Sequence, residues 1–203
     1  VGMVAAWCAG PTTLQVAVLL LIAIITYDVL LKHLPLAPGV MGLCRGLNVL
    51  MGMSLVPLAD SSVSTGVRVF LAGVMAFYIL GVTLFAQREA ALKQDVRIWI
   101  GSIISILSLF TLGAVPILFP SQNLLATGYL WLIMLITALG FGFTRALLDP
   151  GPVKVQAAVR TAILGIILLD AAMVALFRGP ASSVLIVGLL APALWLGKRV
   201  YST

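Results

Sequence analysis

The sequence predicts an all-α, polytopic transmembrane helix bundle, and three observations carry that expectation. Of its 203 residues, 62% are hydrophobic and only 9% charged, with a mean hydropathy of +1.21. Soluble domains are about half apolar and about a quarter charged, so the shortage of charge is the sharper departure. Twelve basic and six acidic residues cannot coat a water-facing globule, whose exterior is normally covered by charged side chains. The third observation is a series of apolar runs near the roughly 20 residues that a bilayer crossing takes, bounded by Gly, Pro or charge. Strands of a membrane β-barrel would be about 10 residues long with alternating polarity, and these runs are longer and uniformly apolar.

Seven such runs follow one another along the chain. The first, 14–31, ends at Lys32 and is joined to the second, 39–57, by a connector stiffened by Pro35 and Pro38. A stretch with Asp60 and several serines leads to the third, 66–86. The most charged segment of the chain, 87–97, precedes the fourth, 98–119. The fifth, 124–145, and the sixth, 155–177, follow, and a tight turn at 178–180 leads to the seventh, 181–196. Such short connections suit antiparallel helices. Residues 1–9 are already apolar, start without Met and carry no charge, so they are expected to be a helix remnant, not a signal peptide. With no repeat or linker in view, residues 1–203 are expected to form one membrane domain belonging to a longer chain.

The formal charge of +6 does not point to nucleic acid, because the basic residues lie singly or in twos at the ends of apolar runs, with no basic stripe or interleaved aromatics. They act instead as topology signals. Lys32, Arg88, Lys93, Arg97, Arg145, Lys154, Lys198 and Arg199 collect on one side, against Arg68 and Arg178 on the other. That bias makes the loops after the first, third and fifth runs, with the C-terminus, cytoplasmic. Cys8 and Cys44 lack CxxC spacing and indicate neither a metal site nor a disulfide framework.

Ionised side chains in the bilayer cost about 2.5–3.5 kcal/mol each even on the lenient insertion scale, so they normally face a partner or a cavity. At the end of the first run, Asp28 and Lys32 are four apart, with Tyr27 beside Asp28. In the second, Arg45 and Asn48 are three apart, next to a GxxxG formed by Gly42 and Gly46. Joined by a short turn, the two runs should be antiparallel neighbours with both clusters at similar depth. One reading is a structural Asp28–Arg45 pair with Lys32 reaching to the headgroups. The other is an anion pocket, with Arg45 a planar fork for phosphate, Lys32 a point charge, and Asn48 or Tyr27 neutral donors. In the sixth run Gln156 and Arg160 belong at the interface, and Asp170 lies deeper.

The residues Tyr27-Asp28-Val29-Leu30-Leu31-Lys32, then Pro38-Gly39-Val40-Met41-Gly42-Leu43-Cys44-Arg45-Gly46-Leu47-Asn48 and the charged loop after the third run resemble the UbiA superfamily of intramembrane aromatic prenyltransferases. The segment Met41–Asn48 is similar to its bacterial branch of EboC-like membrane proteins. The resemblance implies a helix bundle around a cavity open sideways to lipid, in a bacterial inner membrane. It also implies transfer of a prenyl group from an isoprenyl diphosphate to an aromatic or other acceptor. Magnesium held by two aspartate-rich motifs and a Tyr-x-x-x-Lys element would hold the diphosphate. Here Tyr27 and Lys32 are five apart, and the second acidic loop offers Glu89 and Asp95, six apart and separated by Lys93. On this resemblance Tyr27, Asp28, Lys32, Arg45 and Asn48 bind the diphosphate and Glu89 and Asp95 are candidate Mg2+ ligands, a solvated charged loop being the alternative for the last two. No Asn-Asp-x-x-Asp motif occurs in these residues, so the segment is expected to be the C-terminal portion of such an enzyme, inactive alone. A small membrane transporter, a lipid carrier or a non-catalytic scaffold are the competing expectations.

Overall fold

A computed structural model describes residues 2–32, 34–55, 63–87, 96–120, 124–149 and 151–200, with side chains to residue 195. Every regular element among the described residues is helical. Five helices are long and apolar enough to cross a membrane: Pro11–Leu31, Thr65–Ala86, Val96–Gly113, Thr127–Leu148 and Pro152–Arg178. Two of the seven expected runs fall outside this set, each for a physical reason given below. The chain divides into two compact units, Val1–Phe85 with Ile100–Leu112, and Ala86–Trp99 with Gly113–Thr203.

The first unit starts with α1 (Gly2–Ala9), separated from α2 (Pro11–Thr26) by Gly10. Gly10 takes φ 128°, a left-handed value open to glycine, and Pro11 begins the next helix with its φ already set. After Thr26 the coil widens into a π turn, Tyr27–Leu31. A short connection leads to α3 (Ala37–Met53), with Pro38 in its first turn. At 17 residues, α3 is at the short end of the roughly 17–25 that cross a hydrocarbon core of about 30 Å, and so stands outside the five longer helices.

α2 and α3 are neighbours, as their short connection predicts. The start of α2 is tied to the end of α3. There Thr13 Oγ1 donates to the Ser54 carbonyl at 3.3 Å, and Ser54 Oγ donates to Thr13 Oγ1 at 3.0 Å. The glycine pair of α3 serves a different partner, α4 (Thr65–Ala86). A Cβ on Gly42 would come 2.4 Å from the Ala76 carbonyl oxygen, and one on Gly46 would come 2.8 Å from that of Ala72. Small residues on both helices thus let the backbones touch.

α4 is the core of this unit, with Val67, Leu71, Met75, Tyr78, Val82 and Phe85 buried along one stripe. Against it lies the 100–112 stretch of α5 (Val96–Gly113), where Gly81 meets Gly101 and Ser105 just as closely. Ser102, Ser105 and Ser108 of α5 are buried. Ser105 and Ser108 return their hydroxyls to the Gly101 and Ser105 carbonyls of their own helix at 2.9 and 2.7 Å, which satisfies polar groups that hydrocarbon would penalise.

The fourth expected run ends early because Pro116 cannot donate to the carbonyl of Leu112. The α5 helix stops at Gly113 and the chain resumes as α6 (Val115–Leu118). In the second unit, α7 (Thr127–Leu148) and α8 (Pro152–Arg178) form a hairpin. Leu132, Leu135, Leu139 and Phe143 of α7 and Val155, Ala158, Ala162 and Leu169 of α8 are buried. Gly179, at φ 86°, ends α8. The seventh expected run is two helices, α9 (Pro180–Gly188) and α10 (Leu190–Val200). Pro192 has no N–H for the Gly188 carbonyl, so the helix breaks at Leu189. Trp131 Nε1 of α7 donates to Ser183 Oγ of α9 at 3.1 Å and fixes α9 to the hairpin.

Candidate functional site

Five of the expected binding residues lie in the first unit, at the end of α2 and in the middle of α3. Tyr27 is half-buried, and Asp28, Lys32, Arg45 and Asn48 are exposed. What brings the first three together is the π turn. The Lys32 N–H donates to the Tyr27 carbonyl at 2.9 Å, five residues back. In an α-helix, at about 100° per residue, positions five apart project to nearly opposite sides. A turn closed over five residues is wider, so Lys32 comes back toward the face of Tyr27 while Asp28 stays one position round.

The π turn touches α3, and the Asp28 carboxylate acts electrostatically on Cys44. On α3, Arg45 and Asn48 share an exposed face, while Gly42 and Gly46 are turned in toward α4. The expected Asp28–Arg45 ion pair is not formed. Among the described residues Asp28, Lys32, Arg45 and Asn48 make no side-chain hydrogen bond or ion pair. The physical reason is the α3 register: packing Gly42 and Gly46 on α4 fixes the helix rotation and leaves Arg45 on the exposed face. These side chains, two cations, a carboxylate and an amide, are therefore not tied to one another or to other described side chains.

Glu89 and Asp95 lie outside the described residues. Among those described, no group of three or more His, Cys, Asp or Glu side chains could hold a metal ion. Magnesium takes several oxygen ligands in near-octahedral geometry, usually one or two carboxylates completed by phosphate and water. Asp28 is the single carboxylate of this cluster, so the described side chains do not by themselves fit the ion. In α8, Gln156 and Arg160 are exposed as expected of interfacial residues, and half-buried Asp170 is engaged in an interaction.

Sequence reasoning missed three features. Nothing in the residue types announces the π turn, although the five-residue spacing of Tyr27 and Lys32 is its trace. Arg68, expected as a topology signal, is buried, and its Nη1 donates to the Met53 carbonyl at 2.9 Å, capping the C-terminus of α3. The turn after α7 holds a further charged cluster. There Arg145 lies 4.7 Å over the ring of Phe141, and Lys154 Nζ is paired with Asp149 Oδ2. Comparison of the chain with known protein families, with characterised proteins and with solved structures finds no match.

Proposed function

We propose that this chain is a membrane-embedded prenyltransferase of the UbiA type, which transfers a prenyl group from an isoprenyl diphosphate to an aromatic or other acceptor. The observation that supports this reading is the π turn at Tyr27–Leu31, which offsets the five-residue spacing of Tyr27 and Lys32 next to the helix that carries Arg45 and Asn48. In this reading Arg45 gives two parallel N–H donors to phosphate oxygens, Lys32 adds a compact charge, and Tyr27 and Asn48 contribute neutral hydrogen bonds. Cations held at that point offset the negative charge that accumulates on a departing diphosphate. The prenyl chain would lie against the apolar helices, away from water. Magnesium enters through the resemblance alone, with Glu89 and Asp95 as its ligands, on the cytoplasmic side of a bacterial inner membrane.

The test is binding of geranylgeranyl diphosphate to the chain in nanodiscs, with and without Mg2+, against inorganic diphosphate. Arg45→Ala should weaken binding about tenfold or more, since a charge-assisted hydrogen bond contributes about 1.5–3 kcal/mol. No binding, or binding indifferent to Arg45→Ala, would sink the reading. A transporter or lipid carrier is the second reading, favoured by the helix breaks at Ala114 and Leu189. Uptake into proteoliposomes without product would decide for it, and binding with neither uptake nor product would identify a scaffold.

A further inference from the structure

The turn between α7 and α8 belongs to the second unit and has no role in the proposed prenyl chemistry. Its charged groups are arranged in an unusual way for a simple topology signal. The Arg145 guanidinium carbon lies 4.7 Å over the centre of the Phe141 ring. A cation–π contact of this kind does not require the N–H donors to be spent on a hydrogen-bond acceptor. Among the described residues none of those donors has an acceptor. One helical turn on, the Asp149 N–H donates to the Arg145 carbonyl at 3.3 Å, so the Asp149–Lys154 pair and Arg145 lie at the same end of the hairpin.

Depth is given by the apolar neighbours. Leu148 is 85% exposed and Val153 is 76% exposed, and they flank the turn on either side. Two large aliphatic side chains in that position are stable against acyl chains, not in bulk water. The turn therefore lies where acyl chains meet headgroups, and the partner available to the unspent donors there is phosphate. Both Lys154 and Asp149 are substantially exposed, so their ion pair is weak and readily exchanged.

We infer that the α7–α8 turn is a binding site for the headgroup of an anionic phospholipid, with the Arg145 fork on the phosphate, Lys154 as the second cation, and Asp149 as a competitor that holds Lys154 when no lipid is bound. Phe141 holds the guanidinium in position in advance, which lowers the ordering cost of binding. Charge complementarity selects an anionic over a zwitterionic headgroup, because a choline ammonium would meet two cations.

The full chain purified in a mild detergent would be mixed with equal amounts of phosphatidylglycerol and phosphatidylcholine, and the retained lipid counted by native mass spectrometry. Phosphatidylglycerol should be retained at least threefold over phosphatidylcholine. Arg145→Gln should lower that ratio at least threefold, and Asp149→Asn, which frees Lys154, should raise it. Arg178→Gln, a change in the last turn of α8 at the other end of the hairpin, should leave it unaltered. All three substituted side chains are exposed, so folding is preserved, and opposite effects of Arg145→Gln and Asp149→Asn separate this site from general loss of structure. Equal retention of the two lipids, a preference indifferent to Arg145→Gln, or a fall with Asp149→Asn would each overturn the inference. Displacement of the bound lipid by millimolar inorganic phosphate would also overturn it, since the site would then take the free anion.

Discussion

At the scale of single residues, the positions that decide this structure are small ones. Gly42 and Gly46 were legible as a GxxxG, but the pattern names no partner, and the structure gives it to α4 at Ala72 and Ala76. The consequence is measurable. Gly42→Ala would drive a methyl into a backbone carbonyl that cannot swing away, and should cost about 1–3 kcal/mol, as overpacking does. Gly52→Ala, on the same helix with open space around it, should change stability by no more than about 0.5 kcal/mol, as surface substitutions do. Thermal unfolding of both variants in detergent checks the contrast, and equal losses would refute the contact. Arg68 teaches the complementary lesson. Its charge was read correctly from the sequence, yet its burial under the end of α3 depends on where Met53 comes to rest, which no local pattern records.

At the scale of elements, regular helices were readable and their interruptions only partly so. Apolar runs bounded by Gly, Pro and charge located every long helix, and Pro116 and Pro192 were visible as places where a helix must yield. How far they yield, ending α5 at Gly113 and splitting the last run at Leu189, follows from which carbonyl each proline leaves without a donor. The π turn is the opposite case. It needs no special residue and arises from the packing of the surrounding chain, so Tyr27-Asp28-Val29-Leu30-Leu31 read as plain helix. Paired cysteines at Tyr27 and Lys32, with Cys8 and Cys44 replaced by Ser, report on it directly. A short bifunctional thiol reagent should bridge them in the π geometry, whereas an unbroken α-helix would hold them on opposite sides. Failure to bridge this pair, while a pair at Asp28 and Lys32 is bridged, would refute the widened turn.

At the scale of the whole molecule, five helices have the length and apolarity to cross a membrane, and their surroundings differ in a way that composition does not predict. The Pro11–Leu31 and Thr65–Ala86 spans are about equally apolar, yet far less of the first than of the second is buried within the protein. The second is thus packed mainly against other helices, and the first leaves most of its apolar surface uncovered by the described residues. The proposed orientation makes its own prediction. Single cysteines at Ser64 and Leu125, in a background lacking Cys8 and Cys44, should react in intact cells with a thiol reagent that cannot cross the membrane. One at Asp149 should react only after permeabilisation, and the reverse pattern would invert the topology.

By itself the sequence determined the helical class and the location of the long apolar helices, because these depend on transfer free energies and backbone hydrogen bonding that act within a few residues. It also located Asp28, Lys32 and Arg45 as charges that need an explanation. Only the tertiary structure decided that Asp28 does not pair with Arg45, that Gly42 and Gly46 belong to α4, and that Arg145 lies over Phe141. These depend on how each helix is rotated about its axis. That rotation is set by close packing between segments distant in sequence, which a single chain of residue types does not encode locally.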